Sequence, residues 1–200
     1  MDTRPFTKRA FDLIVTSVGL IIISPIVIII ALFCGYFHGF PILFKQKRPG
    51  KDNRPFYLYK FRSMQFLYDE NGKLLPDEQR ITKLGSFLRS TSLDELPSLL
   101  NVIKGEMSLV GPRPLLMQYL ERYSSEQARR QQVLPGITGW SQIHGRNTIS
   151  WEEKFRYDVW YVDHCSLGLD IKILLLTIWK VLKREGISQD GHATMEEFMG

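Results

Sequence analysis

The sequence predicts a mostly α fold with a small β-hairpin: an N-terminal re-entrant membrane helix, and interfacial amphipathic helices around a small cytosolic body. Three observations carry this reading. An uncharged apolar run with a proline at its midpoint lies near the start of the chain. Two short aromatic runs flank a turn-rich linker within 42–61. The last third has a helical pattern, with lysines bracketing an apolar stretch. The boundary falls near residue 40, separating a membrane-embedded segment at 1–40 from a body at 41–200.

The apolar run extends over 25 uncharged residues, Leu13 to Phe37, of which 19 are apolar. A straight helix of that length is about 37 Å, longer than the roughly 30 Å hydrocarbon core of a bilayer. A cleaved signal peptide fits least well, because its apolar region has only about 7–15 residues and Phe33 before Cys34 spoils a lipoprotein-type site. A single span fits by length alone. Two features oppose it. Arg4, Lys8 and Arg9 precede the run and Lys45, Lys47, Arg48 and Lys51 follow it, so both flanks favour the cytoplasm. Pro25 lacks an N–H and its ring displaces the carbonyl of Ile21, while the Ser24 hydroxyl can satisfy a freed backbone group. Ser24 and Pro25 thus read as the break of a helix that enters and leaves on one face, with a span as the alternative.

Ile42–Phe44 and Phe56–Tyr59 have strand propensity, and the segment 48–53 between them is turn-rich, giving a β-hairpin. Seven basic residues and one acid lie between Lys45 and Arg62. Such a surface suits anionic headgroups, a phosphate-bearing substrate, or both. Residues 66–79 read as a loop. A short helix follows over about 81–89, with Leu84, Phe87 and Leu88 as its buried stripe. The next carries Leu96, Leu99, Leu100 and Ile103 and ends at Gly105. The glycine- and proline-rich segments 110–114 and 134–147 read as loops. Trp151, Phe155 and Trp160 share a plausible helical face. The apolar stretch Leu169–Leu182, flanked by Lys172, Lys180, Lys183 and Arg184, suits a helix lying in a membrane interface, or a buried core helix.

The whole chain has 200 residues, 44% of them hydrophobic, and a formal charge of +5. That composition excludes a wholly disordered chain. Cys34 and Cys165 lie too far apart in sequence to read as a disulfide framework or a paired zinc motif. There is no phosphate-binding loop motif, no dinucleotide fingerprint and no nucleic-acid module.

The sharpest local feature is SLDELP at 92–97. Asp94 and Glu95 are adjacent where a helix begins. The ordinary reading is a capping box from Ser92 to Glu95. If Asp94 is the cap instead, Pro97 falls where no helical bond is lost, and the carboxylate faces the positive end of the helix. A carboxylate there can attack phosphorus, and its neighbour can help hold Mg²⁺, which favours oxygen ligands. Lys60, Arg62, Arg89, Arg113 and Arg146 are candidate phosphate or nucleotide contacts. Each by itself also reads as a surface charge.

Several motifs occur together: Ser24-Pro25, KFRSM at 60–64, SLDELP at 92–97, GEMSLVGPRP at 105–114 and PGITGWSQIHGRN at 135–147. In these the chain resembles the monotopic phosphoglycosyl transferases, also called bacterial sugar transferases, from about Lys8 to Phe198. The tail GISQDGHATMEEF at 186–198 most resembles the small PglC-like enzymes of bacterial protein N-glycosylation. The resemblance implies transfer of a sugar 1-phosphate, with N,N'-diacetylbacillosamine as the sugar, from a UDP-sugar to polyprenyl (undecaprenyl) phosphate, releasing UMP. It implies that Asp94 forms a covalent phosphosugar intermediate and binds Mg²⁺, with Glu95 assisting. It makes 41–200 the catalytic domain and places the protein monotopically on the cytoplasmic face of the bacterial plasma membrane. Phospholipid, a second copy of the chain and downstream glycosyltransferases are the further partners this would bring. The alternative is a non-enzymatic membrane module that binds anionic lipid or a partner through its basic surface.

Overall fold

The structure, a computed structural model, describes residues 6–145, 148–183 and 197–200. Helix α1 spans Phe6–His38 and is followed by the antiparallel hairpin of β1 (Leu43–Pro49) and β2 (Pro55–Phe61). Then come α2 (Asp77–Arg80), α3 (Lys83–Ser90) and a 3₁₀ segment over Leu93–Ser98 that runs into α4 (Leu99–Lys104). Strand β3 (Ser108–Val110) precedes the 3₁₀ turn Met117–Arg122 and the one-turn α5 (Ser125–Ala128). Strand β4 (Gly136–Thr138), the one-turn α6 (Trp140–Ile143), α7 (Trp151–His164) and α8 (Leu167–Lys183) complete the order. The fold is mostly helical with small two-stranded sheets, and α1 is long and apolar enough to cross a membrane.

Helix α1 continues through Ser24–Pro25 instead of dividing into two limbs. Ser24 Oγ donates to the Ile21 carbonyl at 2.8 Å, the acceptor that Pro25 leaves without its N–H. The interruption is therefore one missing backbone bond with a side-chain substitute. The buried positions of α1 are Asp12, Thr16, Ile30, Cys34 and His38. Asp12 and Ile30 are 18 positions apart, five turns, so both ends dock by the same face. Between Thr16 and Ile30 no residue is buried; Ile21 is 74% exposed.

The two docked ends use different chemistry. At the N-terminal end Lys8 Nζ donates to Asp170 Oδ2 (2.5 Å), the Tyr161 hydroxyl (2.8 Å) and the Val110 carbonyl (3.2 Å). Arg9 reaches the carbonyls of Val102 and Ile103, and Asp12 accepts from Ser108 Oγ and the Leu109 amide. At the C-terminal end Ile30 and Cys34 pack in an apolar cluster with Phe61 and Leu88.

The segments 110–114 and 134–147 are not wholly loop. Within and beside them β3 and β4 pair in parallel, Ser108 opposite Gly136 and Val110 opposite Thr138. A Cβ on Gly136 would strike the backbone of Gly111, and one on Gly111 would strike the Leu134 carbonyl, so the glycines permit the close approach. Three-residue strands are too short to show a period.

Helix α3 buries Leu88 completely but leaves Phe87 half exposed, narrowing the expected stripe. In α4 the buried residues are Asn101 and Val102, while Leu100 and Ile103 stay exposed. Gly105 ends α4 at φ 84°, as its position predicts. Trp151 and Phe155 stack together, but Trp160 faces elsewhere and stacks on Trp140. Helix α8 is amphipathic rather than fully buried: Ile173 and Asp170 face the core, and Ile171, Leu175, Ile178 and Trp179 form an exposed apolar stripe. The principal core joins Phe56 and Leu58 of the hairpin to Val102, Met107, Val110, Tyr161 and Ile173.

Candidate active site

Asp94 and Glu95 lie within the 3₁₀ segment, not at the first turn of an α-helix. Ser92 precedes it in the left-handed region (φ 57°) and makes no side-chain cap, so neither capping arrangement forms. Pro97 sits inside the segment, and regular α-helix begins only at Leu99. A proline has no N–H to give to the longer α-type bond, and the tighter 3₁₀ turn accommodates it.

Glu95 is fully engaged. Lys60 Nζ donates to its Oε1 at 2.6 Å, Arg113 Nη1 donates to Oε2 at 3.0 Å, and Arg113 Nη2 donates to Oε1. Burial alone would raise the Glu95 pKa, but Arg113 and Lys60 outweigh it and hold the carboxyl well below the usual range. Glu95 in turn pushes the Arg113 guanidinium up. Asp94 differs although it is the next residue. Its side chain is buried, its carboxylate accepts no hydrogen bond from a described residue, and Lys60 Nζ is 3.8 Å from Oδ2. Burial raises its pKa, Lys60 opposes this, and the negative Glu95 adds to the rise, leaving it above the ordinary value.

The supports come from distant parts of the chain. Lys60 is placed by Asn101, whose Nδ2 donates to the Tyr57 carbonyl (2.7 Å) and whose Oδ1 accepts the Tyr59 amide (3.2 Å). Arg113 stands between two prolines, and its carbonyl accepts from Arg130 Nη2 at 2.7 Å. Arg130 is itself held by Asp158 Oδ2 at 2.7 and 3.1 Å, and Asp158 Oδ1 accepts from Ser141 Oγ at 2.7 Å. Arg89 donates to Ser63 Oγ at 3.0 Å and its charge lowers the Asp94 pKa. Gly85, one turn earlier, leaves no room for a Cβ against the Ser63 backbone, which lets α3 approach closely.

The structure thus brings Lys60, Arg89 and Arg113 to the two carboxylates. Arg62 is not brought there: it is buried, Nη2 donates to the Gly39 carbonyl at 2.7 Å, and the guanidinium lies over Phe66. Arg146 lies outside the described residues, as does most of the 186–198 tail. The buried Asn101, Arg130 and Asp158 were missed by sequence reasoning. Their partners are 28 to 44 positions away for the contacts just given, except the Arg113 carbonyl and Ser141, each at 17. Arg48 and Lys154, which also sense Arg113, carried no signal beyond basic character.

Among the described residues no group of three or more His, Cys, Asp or Glu side chains could hold a metal. Glu95 has no free oxygen for Mg²⁺, since both accept from cations. Asp94 does fit, as a single carboxylate completed by substrate phosphate oxygens, the mode in which Mg²⁺ is commonly bound.

A family model for bacterial sugar transferases matches residues 3–184. The chain is 56% identical over 193 residues to "Uncharacterized sugar transferase EpsL" of Bacillus subtilis, covering 96% of each. It is 42% identical over 183 residues to the "UDP-glucose:undecaprenyl-phosphate glucose-1-phosphate transferase" of Klebsiella pneumoniae, covering 86% of this chain and 39% of that one. It is 39% identical over 198 residues to the "Undecaprenyl-phosphate galactose phosphotransferase" of Salmonella typhimurium, covering 90% and 41%. The chain therefore spans nearly all of the Bacillus relative and about two fifths of the other two. It belongs to the bacterial sugar transferase family, the phosphoglycosyl transferases.

Proposed function

We propose that the protein transfers a sugar 1-phosphate from a UDP-sugar to polyprenyl phosphate and releases UMP, with Asp94 as the nucleophile. The observation that carries this is the contrast between the adjacent carboxylates: Glu95 is saturated by Lys60 and Arg113, while Asp94 is buried with Lys60 at 3.8 Å and accepts no hydrogen bond from a described residue. A buried, underbonded carboxylate is a stronger nucleophile than a solvated one. An Asp94 oxygen attacks the sugar-side phosphorus. The bond from that phosphorus to the bridging oxygen breaks, and its electron pair leaves with UMP. An oxygen of polyprenyl phosphate then attacks the same phosphorus, the bond to Asp94 breaks, and the carboxylate is regenerated. Lys60, Arg89 and Arg113 offset the phosphate charge as it is redistributed. Mg²⁺, held by Asp94 together with phosphate oxygens, would supply Lewis-acid stabilisation of the diphosphate. Glu95 positions Lys60 and Arg113.

Membrane placement follows the same logic. Both ends of α1 dock on one body, so a transbilayer α1 would require that body to reach both faces. This supports a monotopic protein that keeps both ends of α1 on one side of the bilayer. The exposed stripe of α8 supplies an interfacial face. The basic flanks favour the cytoplasmic side of the plasma membrane. Seating there brings a soluble donor and a lipid acceptor to one site. N,N'-diacetylbacillosamine is the donor sugar that the tail motif favours, whereas two of the relatives above are named for glucose and galactose.

The test is product identity with a panel of UDP-sugars, Mg²⁺ and polyprenyl phosphate. UMP is expected, and mass spectrometry without acceptor should find a phosphosugar on Asp94. Release of UDP, or a fully active Asp94→Asn, would overturn the reading.

A further inference from the structure

The register of the hairpin divides its side chains between two faces. Phe56 and Leu58 enter the core, and Lys60 on the same face reaches Glu95. The other face carries, in order along the hairpin, the pairs Leu43–Phe61, Lys45–Tyr59 and Lys47–Tyr57. Leu43 and Phe61 belong to the apolar cluster that holds Ile30 and Cys34 of α1. The C-terminal half of α1 therefore docks on this second face, and the Lys45–Tyr59 pair follows about 7 Å further along it. Lys45, Lys47 and Tyr57 are exposed.

The N-terminal end of α1 reaches the same patch through α4. Arg9 donates to the carbonyls of Val102 and Ile103 at 2.6 and 2.9 Å. The next residue, Lys104, donates to the Tyr59 hydroxyl at 2.8 Å, with its Nζ 4.4 Å from the ring centre. Lys45 Nζ lies 5.7 Å from the centre of the same ring. Tyr59 thus gathers one lysine from the hairpin and one from α4, and the patch borders both anchored ends of the apolar helix. Leu100, Ile103 and Lys104 share a face of α4, and all three are exposed. Arg9 stands four positions before Leu13, where the uncharged run begins, an axial rise of about 6 Å. Glu106 is the acid whose charge reaches Lys104, and its carboxylate accepts from Asn101 Nδ2 at 2.6 Å.

We propose that Lys45, Lys47 and Lys104, with Tyr57 and Tyr59, form a headgroup-binding face that takes the phosphates of anionic phospholipids. The proposal rests on the membrane placement of α1 given above and adds the lipid chemistry that this placement uses. A surface that borders both ends of a membrane-entering helix stands at headgroup depth. Lysines there meet the negative surface potential of the leaflet, and tyrosine rings suit the boundary between water and hydrocarbon. Leu100 and Ile103 give the same patch an apolar edge. The hairpin divides its basic charge accordingly: Lys60 serves the carboxylate pair from the core face, and Lys45 and Lys47 serve the bilayer from the outer one.

The test reads each lysine in the full chain. The chain is placed in nanodiscs of phosphatidylcholine alone, and of equal parts phosphatidylcholine and phosphatidylglycerol, and lysine acetylation is followed by mass spectrometry. Labelling of Lys45, Lys47 and Lys104 should be about tenfold slower in the anionic bilayer, and added salt should restore most of the rate. Lys51, at the turn beyond the patch, should change by less than about twofold. The variant Lys45→Gln/Lys47→Gln/Lys104→Gln should retain about tenfold less phosphatidylglycerol per chain than the wild type, and Lys45→Arg/Lys47→Arg/Lys104→Arg should retain the wild-type amount. Circular dichroism identifies a triple variant that fails to fold, and Lys45→Gln/Lys47→Gln then replaces it. Equal labelling in the two bilayers, equal slowing at Lys51, or slowing by UDP-sugar or by dimerisation in place of anionic lipid would overturn the face alone. A wild type that does not enter nanodiscs would overturn the membrane placement and the face with it.

Discussion

Two ionic clusters stand in the same small body, one around Asp158 and the other around Asp94 and Glu95. In the first every strong group is matched: Arg130 and Asp158 are almost wholly buried, and Ser141 occupies the remaining carboxylate oxygen. In the second, two cations converge on Glu95 while Asp94 sits beside them without a hydrogen bond from a described residue. The first cluster holds the Arg113 backbone, and the second uses the Arg113 side chain. A matched buried ion pair specifies geometry, whereas an unmatched carboxylate beside matched ones is available for chemistry. The two clusters differ in completeness of bonding, not in burial.

The comparison can be broken most sharply at Asp94. Asp94→Asn should reduce UMP release about 10³-fold or more, yet melt at a higher temperature than the wild type. The sign follows from the raised pKa: at neutral pH the folded state disfavours the ionised carboxylate relative to the unfolded chain, so removing the charge stabilises. Asp158→Ala should behave oppositely, costing about 3–5 kcal/mol in urea unfolding because Arg130 is left buried and unpaired. Glu95→Gln should lower kcat/KM about 10²-fold with a smaller change in melting, because Lys60 and Arg113 lose their common anchor.

The pH profile sharpens the contrast further. A nucleophilic Asp94 must be ionised, so activity falls as pH drops through its raised pKa, and the acid limb should lie above the ordinary value of 3.8. Lys60→Gln removes a charge that lowers this pKa, so the limb should move to higher pH. Glu95, held well below the usual range, should contribute no limb of its own. The smallest effect is at Ser141→Ala, where loss of one buried hydrogen bond should cost about 1 kcal/mol of stability.

The hairpin was legible because its aromatic runs and turn residues act within a few positions of one another. β2 ends within two residues of its expected limits, whereas β1 runs five residues beyond Phe44 and takes in Arg48 and Pro49 of the expected turn. The long helix was legible from uncharged length, and its Ser24 bond from the loss that Pro25 imposes three residues beyond Ile21's neighbour. Phe87 and Trp160 show where pattern fails: each lies on a plausible stripe, but the partners available in the fold lie elsewhere. Parallel pairing of β3 with β4 joins segments 28 positions apart through only three residues each, too little for periodicity to register. Arg62 shows the complementary failure. Basic character placed it beside Lys60 in sequence, but its guanidinium serves the Gly39 carbonyl at the end of α1.

The sequence by itself determined an apolar helix with basic flanks, a basic hairpin, and an adjacent Asp94–Glu95 pair among scattered cations. Those features arise from hydrophobic run length, proline stereochemistry and charge, which act locally. Only the tertiary structure decided that both ends of α1 meet one body, through contacts such as Lys8 to Asp170, 162 positions apart. It also decided which of two neighbouring carboxylates is hydrogen-bonded by Lys60 and Arg113, which arrive from 35 and 18 positions away, and which accepts no hydrogen bond from a described residue. Electrostatic roles depend on distance in space, and adjacent residues with the same charge carry no local mark to tell them apart.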